Sequence, residues 1–97
     1  MATVNVMQYE KYEPNGFQPG ATVTWFWGPW DWQKKGVTVT AHPFDTSTSD
    51  RALAVTEIRR HNTPASGAAD KWVEATVRNV GKDPIYIYYV TLVESAS

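Results

Sequence analysis

The sequence has no cysteine, almost no net charge and no long apolar run, and each absence removes a class of protein. Without cysteine the chain cannot form a disulfide scaffold, a thiolate zinc site or a cysteine nucleophile, although it suits either redox compartment. Nine Lys and Arg against ten Asp and Glu give a formal charge of −1. Nucleic acid is therefore not expected as a partner, because nucleic-acid-binding domains usually carry a basic face. No stretch approaches the roughly 18 apolar residues of a spanning helix, so no membrane partner is expected.

What is present is typical of one small folded domain. The 97 residues are 42% hydrophobic and 13% aromatic. A chain of this length hides roughly 60–68% of its unfolded surface, which is enough for one modest core without metal or disulfide staples. No cofactor is expected. The sequence therefore predicts a single domain over residues 1–97. Its first residues show no secretory signal, and the compartment is left open, extracellular if the chain is an excised adhesion module.

Alternating apolar and polar residues, interrupted by turn residues, predict a chain of β-strands. The clearest strand spans residues 21–27, where Val23, Trp25 and Trp27 share an apolar face. Further strands are predicted at residues 3–9, 37–42, 51–62, 72–78 and 85–94. Turns are predicted at residues 13–16 and 18–20, and a hairpin at residues 79–84.

Residues 51–62 fit two patterns. Leu53 and Val55 alternate as in a strand, whereas Ala52, Val55 and Ile58 also fit the apolar stripe of a helix. We favour a strand with a bulge near Glu57 and keep the helix as the alternative.

Six or seven short strands in about 100 residues are what a two-sheet antiparallel sandwich requires. The final strand is apolar on both faces, with Ile87 and Tyr89 on one side and Tyr88 and Leu92 on the other. One face can enter the core, and the other needs a covering loop or a second subunit, since monomers seldom expose large apolar patches. The sequence therefore predicts a homo-oligomer.

Three stretches of the second half resemble bacterial immunoglobulin-like domains, including the adhesion-type modules. They are Leu-Ala-Val-Thr-Glu-Ile at residues 53–58, Trp-Val-Glu-Ala-Thr-Val-Arg-Asn-Val-Gly at residues 72–81, and residues 84–93. In those modules a strand reads Val-x-Val-x-Asn-x-Gly before a hairpin. The resemblance implies an all-β, two-sheet antiparallel immunoglobulin-like sandwich of six to eight short strands. It also implies a binding or spacing role and no catalytic residue.

Motifs of enzyme chemistry are missing from the sequence. It has no Gly-x-Ser-x-Gly elbow, no phosphate-binding glycine loop and no His-Glu-x-x-His helix. His42 and His61 lack the clustered spacing of metal ligands, and no pair of carboxylates has a separation that the sequence fixes. We therefore expect no catalytic activity and no bound metal.

Four of the five tryptophans fall within eight residues, at Trp25, Trp27, Trp30 and Trp32. The alternation around Val23 predicts that the first two lie in the core. The second two follow the Gly-Pro break at residues 28–29, and polar residues surround them. A purely internal role is harder to justify for these two side chains.

Three interpretations of this loop compete. In the first, Trp30 and Trp32 stack against the apolar face of a sugar while Asp31, Gln33 and Lys34 bind its hydroxyls. In the second, the tryptophans anchor a subunit or partner interface, and in the third they fold back and cap the sandwich. The basic pair at residues 34–35 would suit a membrane surface, but the net charge of −1 makes attraction to anionic lipid weak. The sequence predicts a non-catalytic carbohydrate-binding, lectin-like module, with a structural or adhesion module that makes subunit contacts as the alternative.

Overall fold

The computed structural model describes residues 3–28, 35–44, 50–61 and 72–96. Within these ranges the secondary structure consists of β-strands, and no helix occurs. The strands are β1 (Thr3–Phe17), β2 (Thr22–Trp27), β3 (Lys35–Pro43), β4 (Leu53–His61), β5 (Trp72–Asn79) and β6 (Ile85–Ala96). The all-β prediction is confirmed.

The described strands form two three-stranded antiparallel sheets, a first sheet with the order β1-β6-β3 and a second sheet with the order β2-β5-β4. This arrangement confirms the two-sheet sandwich. The predicted hairpin at residues 79–84 is wrong, because β5 and β6 belong to different sheets and the segment between them crosses the sandwich. Each of the two strands has one apolar face that enters the core. That pattern is the same in either sheet, so the sequence did not reveal which sheet each strand joins.

The strand neighbours partly match those of an immunoglobulin domain. The order β2-β5-β4 corresponds to its B-E-D neighbours, and the β3–β6 pair corresponds to its C-F pair. β1 lies beside β6, at the edge where the immunoglobulin sheet has its last strand. The resemblance to the bacterial immunoglobulin-like family stays a prediction.

The core lies between the sheets, on the faces that the alternation predicted. Its fully buried members include Val73, Ala75 and Val77 of β5 and Val90 and Leu92 of β6. Because β5 and β6 are the central strands of their sheets, their inward side chains are covered from both sides. Burial of a side chain of this kind contributes roughly 1.5–3 kcal/mol, so these two strands supply much of the stability.

Aromatic rings extend the core along the sandwich. Trp25 and Trp27 stack at 6.1 Å, and Tyr9 of β1 lies 5.9 Å from Trp25 across the sandwich. Trp25 also meets Tyr88 edge-on at 6.3 Å, and Tyr88 lies 5.6 Å from Phe17. Rings at these separations attract one another beyond the effect of area burial alone. The prediction that Trp25 and Trp27 are core residues is confirmed.

β4 is a strand and carries a bulge. Its register against β5 shifts between Val55 and Glu57, so Thr56 is the extra residue. The shift keeps both Val55 and Ile58 on the inner face, opposite Val77 and Ala75. The same spacing had made a helical stripe possible, and the structure confirms the strand.

The predicted turn at residues 13–16 is wrong, because β1 continues through these residues to Phe17. The register instead shifts between Tyr12 and Phe17, and Gly16 has a φ of 81°, a conformation that favours glycine. The turn at residues 18–20 is confirmed, since the Ala21 N–H donates to the Gln18 carbonyl at 3.0 Å.

Buried Asn79 joins three segments at one end of the sandwich. Its Nδ2 donates to the carbonyls of Phe17 (2.8 Å) and Asp83 (3.0 Å). Its Oδ1 accepts from the Gly81 N–H at 2.9 Å. A Cβ on Gly81 would lie 2.6 Å from the carbonyl oxygen of Asp50, so only glycine fits there. The Asn-x-Gly motif therefore has a structural role in this chain.

Candidate functional site

The site predicted from the sequence, Trp30, Asp31, Trp32, Gln33 and Lys34, lies outside the described residues. The structure describes the residues on either side of it. β2 ends at Trp27, and Gly28 has a φ of 147°. The positions of these five side chains relative to one another are therefore not described, and the site stays a prediction.

The end of β3 that follows this segment is tied to its neighbours by polar contacts. Lys35 Nζ lies 3.8 Å from Glu94 Oε2, and Asn5 Nδ2 donates to Glu94 Oε1 at 2.9 Å. The Arg60 guanidinium of β4 also donates to the Lys35 carbonyl, which links the two sheets. β3 therefore begins from a fixed position at this end of the sandwich.

Among the described surfaces, the outward side of the first sheet combines exposed aromatic rings with uncharged hydrogen-bonding side chains. We call this surface the outer face. It comprises fifteen positions: residues 4, 6, 8, 10 and 12 of β1, residues 87, 89, 91, 93 and 95 of β6, and residues 36, 38, 40 and 42 of β3 with Phe44 directly after that strand. Across the strands they form the rows Tyr12–Ile87–Phe44, Glu10–Tyr89–His42, Gln8–Thr91–Thr40, Val6–Val93–Thr38 and Val4–Ser95–Gly36.

Aromatic side chains gather at one end of the outer face. His42 stacks on Tyr89 with the ring centroids 5.4 Å apart, and Phe44 meets the same tyrosine edge-on at 6.4 Å. Tyr12, in the row of Phe44, is 63% exposed, and Phe44 is 51% exposed. We call Tyr12, His42, Phe44 and Tyr89 the aromatic cluster. It presents apolar rings to solvent from a hydrogen-bonded sheet.

The rows beyond the aromatic cluster alternate in character. Next to it lies a row of uncharged hydrogen-bonding groups, Gln8, Thr91 and Thr40. The row after that is largely apolar, with Val6 at 62% exposure beside Val93. Stacking surface and hydrogen-bonding groups therefore follow one another along the strands.

The outer face is also depleted of charge. Its fifteen positions hold one formally charged side chain, Glu10, and no Lys or Arg. The opposite surface of the sandwich, the outward face of the second sheet, carries four formal charges, at Glu57, Arg59, Glu74 and Arg78. Depletion of charge at the centre of a surface is typical of binding interfaces.

Two polar atoms in the core belong to no candidate site. The Tyr88 hydroxyl and the Trp25 Nε1 are buried without a hydrogen bond of ordinary geometry to the described residues. Burial raises the pKa of Tyr88, the nearby Trp25 indole partly offsets that rise, and the Glu13 carboxylate adds to it. The rings of both side chains pack against other core aromatic rings, and we assign these two atoms no part in binding.

Metal and membrane sites were also sought in the described ranges. No group of three or more His, Asp or Glu side chains lies close enough there to hold a metal ion. In the same part of the chain no helix is long and apolar enough to cross a bilayer.

Comparisons with known proteins assign no family. No family model, no curated protein and no solved structure matches the chain.

Sequence reasoning missed the outer face although its signal was present. The spacing placed Val4 with Val6, and Thr38 with Thr40 and His42, on single faces of their strands. What it did not supply was the order β1-β6-β3, which joins three strands that are not consecutive in the chain.

Proposed function

We propose that the protein is a non-catalytic carbohydrate-binding module, and that the aromatic cluster is a site at which a sugar stacks. The observation that carries this proposal is a group of exposed aromatic rings on a sheet, next to uncharged hydrogen-bonding side chains. Trp30 and Trp32 remain the second candidate locus for the same activity.

The physical argument follows from the two surfaces of a sugar ring. Its C–H face is apolar and gains by covering an exposed aromatic ring, whereas its hydroxyls lose hydration and need partners. Tyr12 and Phe44 offer the rings, and Glu10 offers an acceptor in the next row. Gln8 and Thr40 offer donors and acceptors in the row after that, where they can meet the further sugars of a chain. Because strands hold these groups, little conformational entropy is lost on binding.

The test is a calorimetric titration with soluble neutral polysaccharides, namely a β-glucan, a xylan and a mannan. The double variant Tyr12→Ala/Phe44→Ala should lower the affinity about tenfold or more, because it removes both exposed rings. Phe26→Ala is the matched control, since Phe26 is 52% exposed on the second sheet. It should leave the affinity unchanged.

The same titration separates the two loci. Trp30→Ala/Trp32→Ala should abolish binding if the loop is the site, and should leave it intact if the aromatic cluster is the site. Binding that survives both double variants contradicts the stacking proposal altogether.

The second candidate function is assembly with further copies of the chain through the outer face. It is favoured by Val4 and Val6, which are 61% and 62% exposed in a region that lacks charge. Val6→Asp should then lower the mass measured by light scattering, whereas Thr24→Asp on the second sheet should not. A monomeric wild-type protein at high concentration contradicts this candidate.

A further inference from the structure

We infer that the ligand of the outer face is an extended, neutral polysaccharide chain that lies along the strands. This inference rests on the proposed function and adds two properties of the ligand, its charge and its length. Both are argued from side chains in the described part of the chain.

The charge of the ligand follows from the side chains that the outer face lacks. Lys and Arg side chains make the strongest hydrogen bonds to a uronate or sulfated sugar, and no Lys or Arg occupies any of the fifteen positions. The single charged group, Glu10, is a carboxylate in the row of Tyr89 and would repel an anionic polymer. Neutral hydroxyls, in contrast, find suitable partners in Gln8, Thr40 and Thr91.

The length of the ligand follows from the rows. Strand residues rise about 3.3 Å each, so the eight steps from Val4 to Tyr12 span about 26 Å. Along that line the character changes from aromatic to hydrogen-bonding and then to apolar. A single sugar covers only the aromatic cluster, whereas a chain of several sugars also contacts the Thr40 and Val6 rows. Affinity should therefore rise with chain length.

The experiment measures affinity against chain length by calorimetry. Cello-, xylo- and manno-oligosaccharides are titrated from disaccharide to hexasaccharide, and polygalacturonate serves as the anionic polymer. Thr40→Val removes one hydroxyl from the middle row while keeping the shape of the side chain. Thr24→Val is its matched control, because Thr24 is an exposed threonine on the outward face of the second sheet.

We expect the hexasaccharide of the series that binds to bind more tightly than the disaccharide. Thr40→Val should weaken the hexasaccharide about three- to tenfold and leave the disaccharide unchanged. Polygalacturonate should bind far more weakly than the neutral polymer.

The contrary results contradict the length of the ligand, its charge, or sugar binding as a whole. An affinity that does not depend on chain length and is unaffected by Thr40→Val contradicts an extended ligand along the strands. It leaves the proposal that a sugar stacks at the aromatic cluster unchanged. Polygalacturonate that binds as well as the neutral polymer overturns the charge argument. If no oligosaccharide or polymer binds, the inference and the proposed function fail together.

Discussion

Among single residues, Asn79 shows how a polar side chain can stabilise an apolar sandwich. It is fully buried, and its side chain donates to two backbone carbonyls and accepts from one backbone N–H at the crossing between the sheets. A buried polar group left without a partner costs about 1–3 kcal/mol, so the effect of losing one side chain is multiplied here.

Asn79→Ala should therefore lower the free energy of unfolding by about 2–4 kcal/mol. The measurement is urea denaturation followed by tryptophan fluorescence. Asn5→Ala is the control, because Asn5 is exposed and makes one side-chain hydrogen bond, to Glu94. It should cost less than about 1 kcal/mol. Equal losses for the two variants would contradict the role assigned to Asn79.

The buried hydroxyl of Tyr88 should make the free energy of unfolding depend on pH. Burial raises its pKa in the folded protein above the ordinary value of 10.0. The unfolded chain therefore gives up the phenolic proton at lower pH, and stability should fall as the pH rises above about 10. Below that pH this contribution is constant.

Tyr88→Phe should remove this part of the alkaline loss and change stability near neutral pH by less than about 1 kcal/mol, since the hydroxyl makes no hydrogen bond of ordinary geometry with the residues that the structure describes. Urea denaturation at about pH 8 and about pH 11 tests both statements. Wild-type and variant curves that fall in parallel would contradict the pKa argument.

Among the elements, β4 shows what an added residue does to a strand. Thr56 is extra in the ladder, and its presence lets Val55 and Ile58 share the inner face. Removing it joins Val55 directly to Glu57, which already faces outward, so the inward and outward sides stay as they are.

Deletion of Thr56 should therefore cost no more than about 1 kcal/mol of unfolding free energy. Deletion of Ala54 is the matched control, because it removes a small residue but turns Leu53 from the core to the outward side. We expect that deletion to cost about 2 kcal/mol or more in the same denaturation assay. A larger loss for Thr56 than for Ala54 would contradict the bulge assignment.

The elements also show how far the sequence could predict the fold. Strand faces were predictable because alternation is local, as in Val73, Ala75 and Val77 of β5. The sheet to which each strand belongs was not, since residues 79–84 carry ordinary turn residues whether the chain reverses within a sheet or crosses to the other. The register shift near Gly16 was likewise mistaken for a turn, because a glycine with positive φ serves both.

At the scale of the whole molecule, the sandwich has two unlike outer surfaces. The second sheet carries four formal charges on its outward side, whereas the outer face of the first carries one. The sequence predicted binding at Trp30 and Trp32, because a tryptophan cluster is visible in one dimension, and that site stays a prediction. The aromatic cluster joins Tyr12 of β1, Tyr89 of β6 and Phe44, which directly follows β3, and only the fold brings these residues together.

The measurement that tests the account most directly is an NMR titration of the uniformly ¹⁵N-labelled protein with the neutral hexasaccharide that binds. The backbone amides that shift most should belong to the outer face, with the largest changes around Tyr12, Phe44 and Tyr89 and further changes at Thr40 and Val6. The outward residues of the second sheet, such as Thr24, should not respond. Shifts confined to residues 29–34, or spread over the second sheet, would contradict the assignment of the outer face as the binding surface.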